Sequence, residues 1–111
     1  MKLPIYLIDA FTAERFKGNP AAVVPLDQWL SVETMQAIAA ENNLSETAFF
    51  IRETADRYHI RWFSPLKEID FCGHATLASA FVLFRNLLAA SPIAFRADAV
   101  GELYVSLRGD G

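Results

Sequence analysis

The order of apolar and polar positions along the chain predicts six short strands and two helices. The strand segments are apolar, β-branched or alternating runs that end at turn residues. They cover residues 3–11, 21–26, 46–51, 56–63, 93–96 and 103–107. The link over residues 52–55 is short enough for a hairpin, and Gly101 separates the last two strands.

The first helix is predicted to begin after Ser31 and to run to about Asn43. Ser31 has the side chain of an N-cap, and Glu33 lies in the first turn, where the helix dipole favours an acid. The apolar residues that fall on one face of this helix are Val32, Met35, Ile38 and Ala39.

The second helix is predicted to start at Gly73 and to stop before Ser91 and Pro92. Apolar and small residues cover nearly every side of it until Arg85. Such a helix is either buried in a protein or in a membrane. A membrane span needs about 20 apolar residues, and this run is shorter and contains polar Thr76. We therefore expect an α+β fold in which a mostly antiparallel sheet is wrapped around one buried central helix.

Length, charge and cysteine content narrow the class of protein. The 111 residues predict a single domain over 1–111. The net charge of -3 argues against a nucleic-acid partner, which would need a basic surface. The single cysteine excludes an internal disulfide and, with no secretion signal at the start, favours a cytoplasmic location. His59, a predicted surface residue, Cys72 and His74 lack a metal-ligand spacing, so we expect no metal.

The segment from Cys72 to Thr76 is the first candidate for chemistry, because it precedes and opens the second helix. The first N–H groups of a helix lack partners within it, so this position can bind a carboxylate or a phosphate. Gly73 would let a ligand approach the backbone, and His74 could donate or carry a proton near neutral pH. Alternatively, Gly73 fits a tight turn, His74 caps the helix and Cys72 is a small core residue.

Two further candidates are Glu46 and Asn19. Glu46 opens an apolar strand, and a carboxylate that enters an apolar region suits proton transfer. The alternative is an exposed acid at the start of a strand. Asn19 offers a donor and an acceptor for orienting a substrate, but it is equally an ordinary turn residue beside Gly18.

Five sequence motifs, in order along the chain, resemble the PhzF-like (phenazine biosynthesis-like) family of the diaminopimelate-epimerase superfamily. They are IDAFT at 8–12, GNPAAV at 18–23, NLSETAF at 43–49, RWFSP at 61–65 and CGHATLA at 72–78. The resemblance implies a two-lobed fold in which each lobe is a sheet around a central helix. It also implies proton transfer on a small carboxylate substrate without a cofactor, in the cleft between the lobes.

The resemblance also assigns roles to individual residues. Glu46 matches the general acid/base, and His74 matches the histidine of the Gly-His-Ala-Thr motif. The N–H groups of Gly73, His74 and Ala75 would face the substrate carboxylate. The remaining positions that the resemblance places at the substrate or in the site are Asn19, Ser45, Thr76 and, as a lesser catalytic candidate, Cys72.

The family is usually more than twice as long as this chain, so the chain resembles the N-terminal lobe alone. Three hypotheses follow. A second copy completes the cleft across a two-fold axis, which makes a working homodimeric isomerase or epimerase. Alternatively, the lobe is catalytically silent and binds a small acid or serves as an interaction module. In the third, a truncated lobe oligomerises by exchanging strands at its open edge. None of them involves a nucleic acid or a membrane.

Overall fold

A computed structural model of the chain describes residues 3–8, 21–44, 46–85, 87 and 92–105. Within these ranges it contains seven strands in one sheet, and two helices. The elements in chain order are β1 (Tyr6–Ile8), β2 (Ala21–Leu26), α1 (Val32–Asn42), β3 (Glu46–Thr54), β4 (Arg57–Phe63), β5 (Glu68–Ile69), α2 (Gly73–Arg85), β6 (Ile93–Ala97) and β7 (Gly101–Val105).

The sheet is mixed, with the strand order β1-β2-β3-β4-β6-β7 and β5 paired with β4. Two pairs, β2 with β3 and β4 with β6, are parallel, and the other four described pairs are antiparallel. The sheet forks at β4, whose free edge pairs with β6 over Arg57–His59 and with β5 over Trp62–Phe63. The fold is therefore α+β with a mostly antiparallel sheet.

The two helices cover opposite faces of this sheet, which explains why its central strands are apolar on both sides. The face toward α2 carries Ala48, Phe50 and Trp62, in one apolar cluster with α2 residues. The face toward α1 carries Phe49 and Phe63, in a second cluster with α1 residues. Since the side chains of a strand alternate between the faces, residues 47–50 of β3 are all buried although they point both ways.

Helix α1 has the ends that the sequence predicts. The Ser31 hydroxyl accepts a hydrogen bond from the Thr34 N–H at 3.1 Å, as an N-cap does. At the other end, Asn43 adopts a left-handed backbone with φ of 53°, and its N–H bonds to the Ala39 carbonyl. Met35 and Ala39 are buried against the sheet, whereas Val32 remains 47% exposed.

Helix α2 is not buried on every side, and this corrects the sequence-based expectation. Seven of its residues are buried, but Leu77 is 47% and Phe81 38% exposed. His74 and Arg85 are also exposed, and all four positions lie on one side of the helix at spacings of three to four residues. The sheet therefore covers one side of α2, and an exposed stripe runs along the other. No helix in the described ranges is long and apolar enough to cross a membrane.

Three smaller differences between the observed and the predicted elements have local causes. The hairpin between β3 and β4 is tighter than predicted, because β3 continues to Thr54 and leaves residues 55 and 56 as the turn. Strand β5 has two residues, too few to show a periodicity. Gly101 does not separate the last two strands but begins β7, with a φ of 86° that disfavours other residues.

Candidate functional site

The amino end of α2 is built around Cys72, which acts as its N-cap. The Cys72 carbonyl accepts the first helical hydrogen bond, from the Thr76 N–H at 3.1 Å. Its sulfur accepts a hydrogen bond from the Ala75 N–H at 3.5 Å. One of the N–H groups that a helix leaves free at its start is therefore directed at this sulfur.

A buried hydrogen-bonded chain fixes this helix start to the sheet. The Thr76 hydroxyl donates to the Cys72 carbonyl at 2.7 Å, and it accepts from the Trp62 indole N–H at 3.0 Å. Trp62 is 2% and Thr76 5% exposed. Since a buried indole N–H needs a partner, the pairing ties the helix to β4 at one place.

Glu46 reaches the same place from β3. It is the first residue of β3 and pairs in register with Ala21 of β2. The alternation along β3 puts Glu46 on the same face as Ala48, which packs toward α2. On the opposite face, the Asn42 side chain donates to the Thr47 hydroxyl at 3.3 Å, which fixes the start of the strand to the end of α1.

Glu46 and Cys72 approach the same end of α2, although 25 residues lie between them in the chain. The two groups interact electrostatically, because Glu46 is one cause of a shifted pKa of the Cys72 thiol. Burial raises the pKa of the Cys72 thiol, and the charge of Glu46 raises it further, while the Ala75 N–H group acts in the opposite direction. The thiol is therefore held in its protonated form beside the carboxylate.

Gly73 is the first residue of α2 and does not have a positive φ. A Cβ atom built there would meet the Phe71 ring at 3.7 Å, an ordinary van der Waals contact. Neither the backbone nor the packing of the described residues thus requires glycine at this position. The close approach of a ligand to Gly73 stays a prediction.

The other site residues predicted from the sequence differ in how far they are exposed to solvent. His74 is exposed at the second position of α2. Ala75 and Thr76 are buried, and their N–H groups are bonded to the Cys72 sulfur and carbonyl. Their contact with a substrate stays a prediction. Asn19 and Ser45 lie outside the described residues.

A model of the phenazine biosynthesis-like protein family matches residues 8–111 of the chain. The chain belongs to this family. Glu46, Cys72, Gly73 and His74 all lie within the part that the family model matches.

Curated relatives are similar to this chain over nearly its whole length. An uncharacterised isomerase of Pseudomonas aeruginosa is 56% identical over 110 residues, which are 99% of this chain and 42% of the relative. The human phenazine biosynthesis-like domain-containing protein is 44% identical over 118 residues, which are 100% of this chain and 41% of the relative. This family member thus spans about two fifths of the length of these relatives.

Two solved structures have the same fold as this chain. A PhzF-family protein of Enterococcus faecalis superposes with a TM-score of 0.87 at 51% identity, over 98% of this chain and 42% of that chain. A predicted epimerase of Pseudomonas aeruginosa has a TM-score of 0.82 at 21% identity, over 97% of this chain and 40% of that chain. The second likeness concerns the fold alone.

A pocket of about 230 Å³ lies away from the Glu46–Cys72 contact, at the fork between β5 and β6. Its lining includes Arg61, Glu68 and Asp98. Arg61 already donates two hydrogen bonds to Glu68, at 2.7 and 2.8 Å. Because the pocket does not include Glu46, Cys72 or His74, it does not mark the site that the family motifs indicate.

Sequence reasoning missed two partnerships of buried or half-buried side chains. One is the pairing of Trp62 with Thr76, for which a tryptophan in a core strand and a threonine in an apolar helix were the available signals. The other concerns His59, which is not a surface residue as predicted. Its side chain is 12% exposed, bonds to Asp98 at 3.1 Å and packs edge-on against the Trp29 ring.

In the described ranges, no group of three or more His, Cys, Asp and Glu side chains could hold a metal ion.

Proposed function

We propose that this family member is a cofactor-independent isomerase or epimerase that moves a proton on a small carboxylate substrate. The observation that carries the proposal is that Glu46 begins β3 on the sheet face that packs against α2, at the end of that helix where Cys72 is the cap. A proton acceptor and an anion-binding helix end are then adjacent. A relative of 56% identity bears the name isomerase, which supports the same class of reaction.

In this proposal the two parts of the site do different work. The Gly73 and His74 N–H groups, with the helix dipole, hold the substrate carboxylate, since the Ala75 N–H is already bonded to the Cys72 sulfur. Gly73 leaves the space that this approach needs. Glu46 then takes a proton from a carbon atom of the bound substrate, and His74, exposed at the same helix end, is the second proton carrier.

We further propose that a second copy of the chain supplies the opposing wall of the cleft, so that the active form is a homodimer. The basis is the resemblance to a family in which the site lies between two lobes, one of which this chain resembles. The exposed stripe of α2 with Leu77 would then be enclosed, and α2 would become the central helix of one lobe of a diaminopimelate-epimerase-like fold. The proposed location is the cytoplasm, where the Cys72 thiol stays reduced.

The second candidate is a catalytically silent lobe that binds a small acid or acts as an oligomerisation module. The start of α2 supports it, because a helix end can bind an anion without completing a proton transfer. The two candidates differ in turnover and not in binding.

Deuterium incorporation separates the candidates. A panel of small amino and hydroxy acids is incubated with the protein in D₂O, and exchange of carbon-bound hydrogen is followed by proton NMR. Exchange that disappears in Glu46→Gln supports the isomerase. Binding of an acid without exchange, at protein concentrations where light scattering shows a dimer, contradicts the isomerase and supports the silent lobe.

A further inference from the structure

We infer that Arg61 is a positioning residue of the proposed isomerase site: its two hydrogen bonds to Glu68 fix residues 68–76, which carry the start of α2, to β4. The inference rests on the proposed function for its purpose, while the contacts that carry it are independent of any activity. It also gives a role to the RWFSP motif at 61–65, no residue of which takes part in the proposed chemistry.

The chain that enters α2 has a short backbone pairing with the sheet. Strand β5 consists of Glu68 and Ile69, which pair with Phe63 and Trp62 of β4. Three residues, 70–72, then join β5 to α2. Because three residues span at most about 10–11 Å, a displacement of β5 is transmitted to the first turn of the helix. The position of Glu68 therefore affects the position of the site.

The Arg61 guanidinium holds Glu68 through both carboxylate oxygens. Its Nε donates to Oε2 at 2.8 Å, and its Nη2 donates to Oε1 at 2.7 Å. A bidentate pair of this kind fixes the orientation of the two groups as well as their distance. The guanidinium also lies 5.5 Å from the centroid of the Trp29 ring and 5.8 Å from that of Phe63, and the Arg61 side chain is 21% exposed. The two rings hold the guanidinium in place, so that Glu68 accepts from a fixed donor.

Arg61 and Trp62 attach the two ends of residues 68–76 from opposite faces of β4. Since side chains alternate along a strand, Arg61 lies on the face toward α1, whereas Trp62 packs in the cluster of α2. Arg61 binds Glu68 at the start of the segment, and Trp62 donates to Thr76 at its end. The N–H groups proposed to hold the substrate carboxylate lie between these two attachment points. Loss of the Arg61 attachment should therefore displace them relative to the proposed general base.

A second arginine–glutamate pair of the same kind provides a matched control. Arg96 of β6 donates to both carboxylate oxygens of Glu53 of β3, from Nε at 3.2 Å and from Nη2 at 2.5 Å. Glu53 lies about 23 Å along β3 from Glu46. Arg96→Lys therefore disrupts a comparable pair of the same sheet without touching the segment that carries the site.

Amide hydrogen exchange of the whole chain tests the inference without a substrate. Lysine keeps the charge of arginine but cannot form the bidentate pair. In Arg61→Lys, we expect the amides of residues 69–76 to exchange about tenfold faster or more than in the wild type, with the other strands unchanged. Arg96→Lys should leave residues 69–76 at the wild-type rate. Glu68→Gln removes the same pair from its other side and should give the same local pattern, which also covers a failure of Arg61→Lys to fold.

Two results of this measurement would overturn the inference. One is equal protection of residues 69–76 in the wild type, Arg61→Lys and Glu68→Gln. The other is an acceleration shared by all strands, because this would show that the pair stabilises the fold in general and does not position the site.

A second arm uses the deuterium incorporation of the proposed function. We expect kcat to fall about tenfold to a hundredfold in Arg61→Lys and in Glu68→Gln through misplaced substrate donors, and to stay within a few-fold of the wild type in Arg96→Lys. The variant with both Arg61→Lys and Glu68→Gln should lose no more than either single variant, because both remove one interaction. Additive losses, or a wild-type kcat in Arg61→Lys, would contradict the positioning role. If the wild type itself incorporates no deuterium, the proposed function fails, and the amide exchange still decides whether Arg61 positions the segment.

Discussion

The indole N–H of Trp62 donates a hydrogen bond to the Thr76 hydroxyl at 3.0 Å, across the buried interface between β4 and α2. The same hydroxyl donates to the Cys72 carbonyl at 2.7 Å. The Thr76 side chain therefore connects the core of the sheet to Cys72, the cap of α2. The candidate site depends on this buried pairing for its geometry.

Replacing Thr76 with valine tests that dependence. Valine keeps the shape of threonine but leaves the buried Trp62 N–H without an acceptor, so we expect a loss of about 1–3 kcal/mol in the free energy of unfolding. Thr76→Ser, which keeps the hydroxyl, is the matched control and should lose less. Urea denaturation measures both, and equal stabilities of Thr76→Val and the wild type would show that the hydrogen bond contributes nothing.

The Cys72 thiol predicts a dependence of stability on alkaline pH. Burial and Glu46 raise its pKa in the folded state above the unfolded value, which is about 8.5. The folded protein thus holds this proton more tightly, so the contribution to stability is complete below about pH 8.5 and is lost as the pH rises toward the folded pKa. Urea denaturation from pH 7 to 10 should show the wild type losing stability faster than Cys72→Ser, in which position 72 does not titrate.

Burial also raises the pKa of Tyr58, but this contribution is common to the wild type and Cys72→Ser and cancels in their difference. Parallel pH profiles of the two proteins would contradict the buried, carboxylate-facing position of the thiol.

Gly73→Ala separates a requirement of the fold from a requirement of a ligand. The described structure has room for the added Cβ and no positive φ at this position, and alanine is the better helix former. We expect a stability equal to or slightly above that of the wild type, together with weaker binding of a small carboxylate, measured by calorimetric titration. A destabilised variant would instead show that the fold itself needs glycine here, as it does at Gly101 with its φ of 86°.

The homodimer predicts a concentration-dependent mass and activity. Light scattering should give twice the mass of the chain, 12.4 kDa, and the exchange rate per chain should fall as dilution separates the copies. A monomer that retains full exchange would contradict the completion of the site by a second copy.

The sequence predicted the elements whose signals are local. Strand β2 has the predicted bounds Ala21–Leu26 and α1 begins after the predicted N-cap Ser31, because an apolar run between turn residues and a capping side chain both act within a few residues. The two-residue strand β5 carries no such signal.

Long-range relationships could not be predicted from residue patterns alone. The approach of Glu46 and Cys72 to the same end of α2 depends on the packing of α2 on one face of the sheet and on the parallel pairing of β2 with β3. The exposed stripe of α2 has the same explanation: Leu77 and Phe81 are as apolar as their buried neighbours, so the sequence of the helix does not show which side the sheet covers. The candidate site residues were predicted from the resemblance to a family. The hydrogen bonds around Cys72 became known only from the structure.

The central claim is that Glu46 transfers a proton on a bound carboxylate substrate. It is tested most directly by deuterium incorporation into the substrate in D₂O, compared between the wild type, Glu46→Gln and the control Glu33→Gln. We predict exchange in the wild type and in the control, and a loss of about a hundredfold or more in Glu46→Gln, as expected for removal of a general base. Equal exchange in Glu46→Gln and the wild type would contradict the claim.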